Sequence, residues 1–431
     1  MYSFNLIDKP WIPCIMSNGR QQELNLQETL VKAHEIQEIF AQSPIVTVSL
    51  YRLLLAVVYR NFPFKNLNEW EKLWKTKQFS PDTITSYFEK WHDRFDLFHP
   101  EWPFYQSPSF VTKKATPIKR LGWEFASGNN ATLFDHSWDE DQATVSPVLA
   151  AQWVLATQAF AASAGKSETL HTKDSPWTRG AIVLMQGDNL FQTLALNLLH
   201  FHKLSFQTSE DLPVWEESNH WKPEHNVNPT GILQLLTWQS RSIFLVPGVE
   251  VKECYFAQGR ALLDDWHQEP MYSYRKDEKI GLIVWQFQED KAIWRDSHTL
   301  FNFSQTASYQ IPQAIRNIAT LIANDVLDKK RLYKVQIIGQ CLQSGQPTVK
   351  FWRQDRLPVP ADYLKEENKE LLDKLEEALK LAEKIARQIN FHLYKLAELL
   401  IAPSSDQKDS RKPDPKDIKN QVSHLDASTQ Y

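Results

Sequence analysis

Glycine is scarce in this chain, with 12 in 431 residues. Few glycines leave few loops able to cradle a phosphate on backbone N–H groups. Cysteine is scarcer still. Cys14, Cys254 and Cys341 lie far apart and form neither a C-x-x-C pair nor a disulfide framework, which fits a reducing cytoplasm. Long apolar runs are also missing. The best one, Ile45 to Tyr59, carries Arg52 and is shorter than the ~20 residues a membrane span needs, so it reads as a buried helix. Asp8 and Lys9 stand where a secretory signal would have its apolar core. Nor is positive charge in excess: the formal net charge is −4. That excludes a generally basic nucleic-acid coat and a polybasic membrane binder, and leaves room for a local basic site.

What is present describes a globular protein. With 42% hydrophobic and 23% charged residues the chain is too apolar for disorder. It is long enough to bury a core without disulfides or metals, and about two or three domains are expected. Its 16 tryptophans supply large anchors for a core or an interface.

No internal repeat is visible. Residues 1–26 read as extended, with a hairpin turn at Ser17-Asn18-Gly19. Helical spacing follows from Thr29 to about Asn61, then shorter amphipathic helices at Asn66 to Thr76 and Thr83 to Arg94. Residues 98–150 are irregular and aromatic, and such a long irregular stretch is usually functional or disordered. Val145 to Ala162 reads as a buried helix. Strands are expected at Ile243 to Val249 and Ile280 to Trp285, and a helix at Ile311 to Leu327. Val335 to Cys341 and Thr348 to Trp352 flank a hairpin tip. Pro358 and Pro360 mark a linker. From Asp362 to Ile401 leucines and isoleucines recur at three-and-four spacing, which gives one helix of roughly 60 Å. It must pack against partner helices. A further helical pattern begins at 418, so either the chain is truncated within a bundle or another protein completes it.

Several motifs have ordinary explanations. Gly165-Lys166-Ser167 resembles the end of a phosphate-binding loop, but Phe160 stands where the first glycine belongs and a helix precedes it. A glycine-capped helix end is the better reading. His200, His202, His220 and His225 are near one another in sequence, with no zinc-protease motif and no supporting cysteines, so no metal is expected. Asp139-Glu140-Asp141 reads as a solvated acidic loop. No serine or cysteine sits in a nucleophile elbow. Nothing supports catalysis, and no cofactor is implied.

Two features point elsewhere. Lys113, Lys114, Lys119 and Arg120 place four cations within eight residues, ahead of Trp123, Phe125 and the small polar run Ser127-Gly128-Asn129-Asn130. Such a segment suits phosphate contact and close approach to a groove; a solvated loop is the competing reading. The tip Gln343-Ser344-Gly345-Gln346 is small and polar. A thin hairpin with glutamines can reach base edges or wedge between base pairs, or it is simply a turn.

In this order, these features resemble the CasA family, the large subunit of the type I-E CRISPR surveillance complex Cascade. The opening run from Phe4 to Pro13 (Phe-Asn-Leu-Ile-Asp-Lys-Pro-Trp-Ile-Pro) looks like the family's N-terminal signature. It is followed by Gln22 to Leu30. His99-Pro100-Glu101-Trp102-Pro103-Phe104-Tyr105-Gln106 is similar to a further family segment. Thr116 to Phe134 looks like a loop used near the target. The resemblance spans essentially the whole chain.

The resemblance implies an α+β protein: a large mixed N-terminal domain (1–357) and a C-terminal helical bundle of four-helix type, incomplete here (358–431). It implies a non-catalytic subunit that recognises a protospacer-adjacent motif in double-stranded DNA, starts strand separation and helps recruit a helicase–nuclease. Its partners would be the guide RNA, target DNA, that helicase–nuclease, and the backbone, handle-binding and small subunits, with no membrane. Motif tolerance is expected, because the minor-groove code is degenerate. Carried over residue by residue, the wedge glutamine matches Gln346, or Gln343 if the tip is aligned differently. The groove-contacting loop matches Ala164, Gly165 and Lys166. The groove-reading lysine has no clean counterpart, and Arg260 is the candidate. Phe134, with Trp123, Asn129 and Asn130, would face the RNA handle or a neighbouring subunit, while Lys113, Lys114, Lys119 and Arg120 would hold phosphates. Only Cys254 stands where some relatives carry a cysteine cluster, so no zinc is expected. A pure assembly scaffold without DNA reading, and a soluble enzyme of unknown class, are the alternatives.

Overall fold

The computed structural model describes residues 2–122, 144–198, 208–289, 291–301, 309–343, 346–365, 367–401 and 414–429. The chain forms two compact units, Met1–Ile293 with Thr299–Glu367, and Trp294–His298 with Asn368–Tyr431.

The first unit mixes helices with small, mostly antiparallel sheets. Two helices form its centre and pack on each other, Pro44–Asn61 and Pro147–Phe160. Each starts the same way. A serine (Ser43, Ser146) accepts a hydrogen bond from the N–H three residues on, and a proline occupies the first helical position. Neither has a polar face: every residue from Ile45 to Tyr59 is buried. Arg52 is among them. Its guanidinium donates to Leu236 O at 2.7 Å and to Leu235 O, and lies 4.5 Å from the Trp177 ring centroid. A charge so held has its backbone partners built in, so the run forms a core helix.

The opening hairpin forms as expected, Ile12–Met16 with Gln21–Leu24, and Gly19 takes a left-handed φ of 80° in its turn. The single helix expected from Thr29 to Asn61 does not form. Instead a short helix (Leu26–Val31) is capped by Asn25, a strand (Ile36–Ile39) pairs with Ile12–Met16, and the helix proper begins at Pro44. Ile36 and Ile39 are buried three residues apart, which imitates helical spacing inside a strand. The amphipathic helices lie at Leu67–Thr76, capped by Asn66, and Pro81–Trp91, capped by Ser80.

The late hairpin is longer than its apolar runs suggested. Leu332–Leu342 pairs with Val349–Pro360 along its length and on its other side with Ile182–Gln186. Pro358 and Pro360 were expected in a linker. They instead end the outer strand, opposite Lys334 and Leu332. An edge strand tolerates proline because the missing N–H removes no bond from the sheet interior.

In the second unit Lys369–Ile401 forms one helix of 33 residues, about 50 Å long, and Pro415–Thr429 packs on it. It begins later than expected, because Ala361–Leu364 forms a separate 3₁₀ turn. Only Leu379 and Ala397 of the long helix are buried, while Leu381, Ile385, Ile389, Phe391 and Leu399 are exposed. Among the described residues no helix is long and apolar enough to cross a membrane.

Near Arg52, Glu269 is also buried. Burial pushes its carboxyl up to about 7, against the opposing pull of Arg52. The folded chain therefore keeps this proton where the unfolded chain has lost it. The resulting stabilisation is complete below the ordinary glutamate range and disappears as pH rises through about 7. Thermal unfolding from pH 5 to pH 8 should show the wild type losing roughly 2–3 kcal/mol relative to Glu269→Gln. Parallel pH profiles for the two proteins would contradict this assignment.

Candidate nucleic-acid interface

The helix Pro147–Phe160 ends beneath a cleft of about 910 Å³ in the first unit. Three segments distant in sequence form its walls. The first is the loop that leaves this helix. Ser163 N–H donates to Asp174 Oδ1 and Ala164 N–H to Thr172 Oγ1, both at 2.7 Å. The Thr172 hydroxyl and N–H both donate to Gly165 O, at 2.7 and 2.8 Å. Gly165 holds a φ of +87°, and a Cβ added there would meet nothing within 4 Å. Glycine is needed here for the sign of φ, and its outer face is open. Ala164, Gly165 and Lys166 are all exposed.

The second wall is the basic segment. Thr116–Pro117 pairs with Cys254 and Glu253 at a sheet edge. Ahead of it Lys113 and Lys114 are exposed, and Lys113 N–H donates to both Glu168 carboxylate oxygens at 3.0 Å. That bond ties the first wall to the second. The Arg120 guanidinium lies 5.1 Å from the Phe256 ring centroid, with both side chains on the cleft. The third wall is the late hairpin. Gln343 N–H donates to Thr348 O at 2.8 Å and Gln346 N–H to Gln343 O at 3.0 Å. Both glutamines are exposed, and Pro347, next to Gln346, lines the cleft.

Thr157 and Arg241 line it too, and both are almost wholly buried. Arg241 donates to the carbonyls of Ala161, Ala162 and Ser240 and to Gln258 Oε1. Burial lowers its guanidinium to about 10, so it is still protonated at neutral pH. All four of those acceptors are neutral. With Lys113, Lys114, Arg120 and Lys166 above it and Glu168 as the lining carboxylate, the cleft is strongly positive.

The structure thus brings Lys113, Lys114, Arg120, Ala164 and Lys166 around one opening with Pro347 of the late hairpin at its edge. Two expected residues are elsewhere. Lys119 is fully buried: in the 3₁₀ turn Ile118–Leu121 it points inward with Ile118 and Leu121, while Arg120 points out. Arg260 is not on the cleft. Its guanidinium is held by the Glu217 carboxylate at 3.1 and 3.3 Å and lies 5.9 Å from the Trp221 ring centroid. Trp123, Asn129, Asn130 and Phe134 lie outside the described residues, as do the acidic run 139–141, His200 and His202. His220 packs against Trp102 with the rings tilted by 35°, and His225 Nε2 lies 2.8 Å from His171 O. Among the described residues no group of three or more His, Cys, Asp or Glu is arranged to hold a metal. Sequence reasoning missed Thr157, Glu168, Arg241 and Phe256. Phe256 had one signal, in that it lies four residues before the candidate Arg260.

The family model described as CRISPR-associated protein Cse1 matches residues 5–422. The CRISPR-associated protein CasA/Cse1 of Thermus thermophilus is 31% identical over 422 residues, covering 95% of this chain and 81% of that protein. The crystal structure of Thermus thermophilus CasA superposes with a TM-score of 0.78 at 26% identity, over 98% of this chain and 85% of that one. A chain from a CRISPR RNA-guided surveillance complex shares the fold, with a TM-score of 0.78 at 21% identity over 92% and 83% of the two chains.

Gly165→Ala should cost about 1 kcal/mol of stability in denaturant unfolding, because a Cβ disfavours the positive φ without meeting a neighbour. An unchanged midpoint and slope would show that this backbone conformation is not needed.

Proposed function

The chain belongs to the Cse1 (CasA) family of CRISPR-associated proteins, and from that premise we propose that it is the large subunit of a type I-E RNA-guided surveillance complex whose cleft reads a short motif in duplex DNA. The observation that carries this reading is the convergence of a thin exposed loop, three exposed cations from the basic segment and the hairpin residue Pro347, next to the exposed Gln346, on one opening. Each part has work suited to its chemistry. Lys113, Lys114 and Arg120 neutralise phosphates, which fixes register without reading sequence. The loop Ala164–Lys166 has little side-chain bulk before Lys166, so its backbone can enter a minor groove about 6 Å wide. There A·T and T·A present nearly the same acceptors, so such a loop discriminates coarsely and tolerates several motifs.

Gln346 stands at the hairpin tip, where it can press against the first base pair beyond the motif and begin strand separation. Guide RNA then reads the rest of the target by base pairing, and the protein is left with shape and motif. Recruitment of the helicase–nuclease belongs to the same role, with the guide RNA and the other Cascade subunits as standing partners. We assign the chain no catalytic step: the described cleft lining holds neither histidine nor cysteine, and Ser167 Oγ donates to Leu170 O at 2.6 Å.

A mobility-shift assay on the assembled complex tests this. Lys166→Ala and Gln346→Ala should each weaken binding to motif-bearing duplex by about five- to tenfold, roughly the worth of one base-level contact. Unchanged binding by both would leave an assembly scaffold as the better account. Replacing Lys113, Lys114 and Arg120 together by alanine should weaken binding about equally for every sequence. It should also flatten the plot of log affinity against log salt by about one for each phosphate no longer neutralised. An unaltered slope would place the phosphates elsewhere.

A further inference from the structure

The loop between Ala161 and Asp174 is closed at its neck by its own Ser163–Asp174, Ala164–Thr172 and Gly165–Thr172 bonds, but those bonds do not by themselves fix how the neck sits on the domain. Its first part, Ala162-Ser163-Ala164-Gly165-Lys166-Ser167, puts Ala162, Ala164, Lys166 and Ser167 on the cleft and has no large apolar side chain to anchor it. A free loop of that kind would lose much conformational entropy on binding, and affinity and discrimination would fall accordingly. Here both ends are fastened by one buried network. At the start, Arg241 donates to Ala161 O at 2.9 Å and Ala162 O at 3.1 Å, where the helix stops and the loop begins. At the far end, Gln258 Oε1 accepts from Lys173 N–H at 2.8 Å, and Gln258 O accepts from the Thr169 hydroxyl at 2.9 Å. Between them, Gln258 N–H donates to Ser167 Oγ at 3.1 Å.

The two residues are also joined to each other. They are paired across adjacent strands, Arg241–Leu245 and Glu253–Gln258. Arg241 Nη1 donates to Gln258 Oε1 at 3.3 Å, and both bond to Ser240 O. Arg241 is 1% and Gln258 0% exposed. A guanidinium can reach four acceptors spread over a plane; an ammonium cannot. Burying that charge against neutral acceptors is costly, and an apolar residue would be cheaper if stability alone mattered.

We propose that Arg241, together with Gln258, is a positioning residue for motif reading: it holds the 161–174 loop in its groove-entering shape before DNA arrives, and touches no phosphate. This rests on the reading of the cleft given above. The loop's order is set at folding, so binding does not have to supply it.

The test uses the assembled complex carrying Arg241→Met, Gln258→Ala or both. Affinity is measured for motif-bearing and motif-scrambled duplex at three salt concentrations. Each single variant should lose about tenfold in the ratio of the two affinities. Binding to scrambled duplex should stay within about twofold, and the salt slope should not change. The double variant should lose little more than the worse single, because both changes free the same loop. An unchanged ratio in either folded single variant would overturn the proposal, and so would additive losses in the double. A salt slope lower by about one in Arg241→Met would overturn it too, by making Arg241 a phosphate contact. Should Arg241→Met fail to assemble, Gln258→Ala decides alone by the same ratio. A wild-type ratio near one would remove the reading of the cleft itself, and the proposal with it.

Discussion

The helix Pro147–Phe160 is buried along nearly its whole length, so the carbonyls at its C-terminal end have no water to bond to. Donors must come from elsewhere in the chain. Gln340, in the middle strand of the late hairpin sheet, donates to Phe160 O at 2.8 Å. Ser175 N–H, the Thr178 hydroxyl and Arg241 all donate to Ala161 O. Gln158, one turn back, donates to Tyr105 O, Gln239 Oε1 and Arg241 O, and accepts from Arg241 N–H. One helix end therefore gathers the 105, 175, 241 and 340 regions. The cleft lies above this junction because its walls are the continuations of the segments gathered there. Meeting the hydrogen-bond demand of a buried helix end and assembling the site are the same event.

The distribution of charge follows a similar economy. The chain as a whole is acidic, yet the cleft is basic. A protein that touches only a few base pairs needs cations at one opening and gains nothing from a basic surface, which would hold it on DNA at random. Glu168 shows the restraint locally. It brings a carboxylate into the basic cleft, and both its oxygens accept from the Lys113 backbone N–H, so it joins two walls.

Much of this was legible in the sequence, and the exceptions are informative. The opening signature is structural: Trp11 is fully buried, its indole N–H donates to Leu6 O, and Gln152 of the buried helix donates to Trp11 O. The end of the His99–Gln106 segment, Pro103 to Gln106, is likewise core, with Gln106 bonding both Leu97 O and Leu245 N–H. Segments like these show a family well, because a core fixes them. The basic cluster and the two glutamines were visible by composition, and the fold leaves Lys113, Lys114, Arg120, Gln343 and Gln346 exposed. Lys119 was misjudged because composition cannot say which side of a 3₁₀ turn faces out. Arg260 lies away from the cleft, paired with Glu217, which only the fold brings to it. Arg241 left no signal, and Gln258 none beyond its nearness to Arg260. Each sits at one end of a short strand, and only the pairing of two strands with a distant helix end makes them a network.

The central claim is that the Ala164–Lys166 loop enters the groove of motif-bearing DNA. The most direct measurement is site-specific photo-crosslinking from a probe at position 164 in the assembled complex bound to target duplex. Crosslinks should fall on the base pairs of the motif next to the target and should disappear when that motif is scrambled. Crosslinks to the guide RNA or to distant duplex with no dependence on the motif would contradict the account.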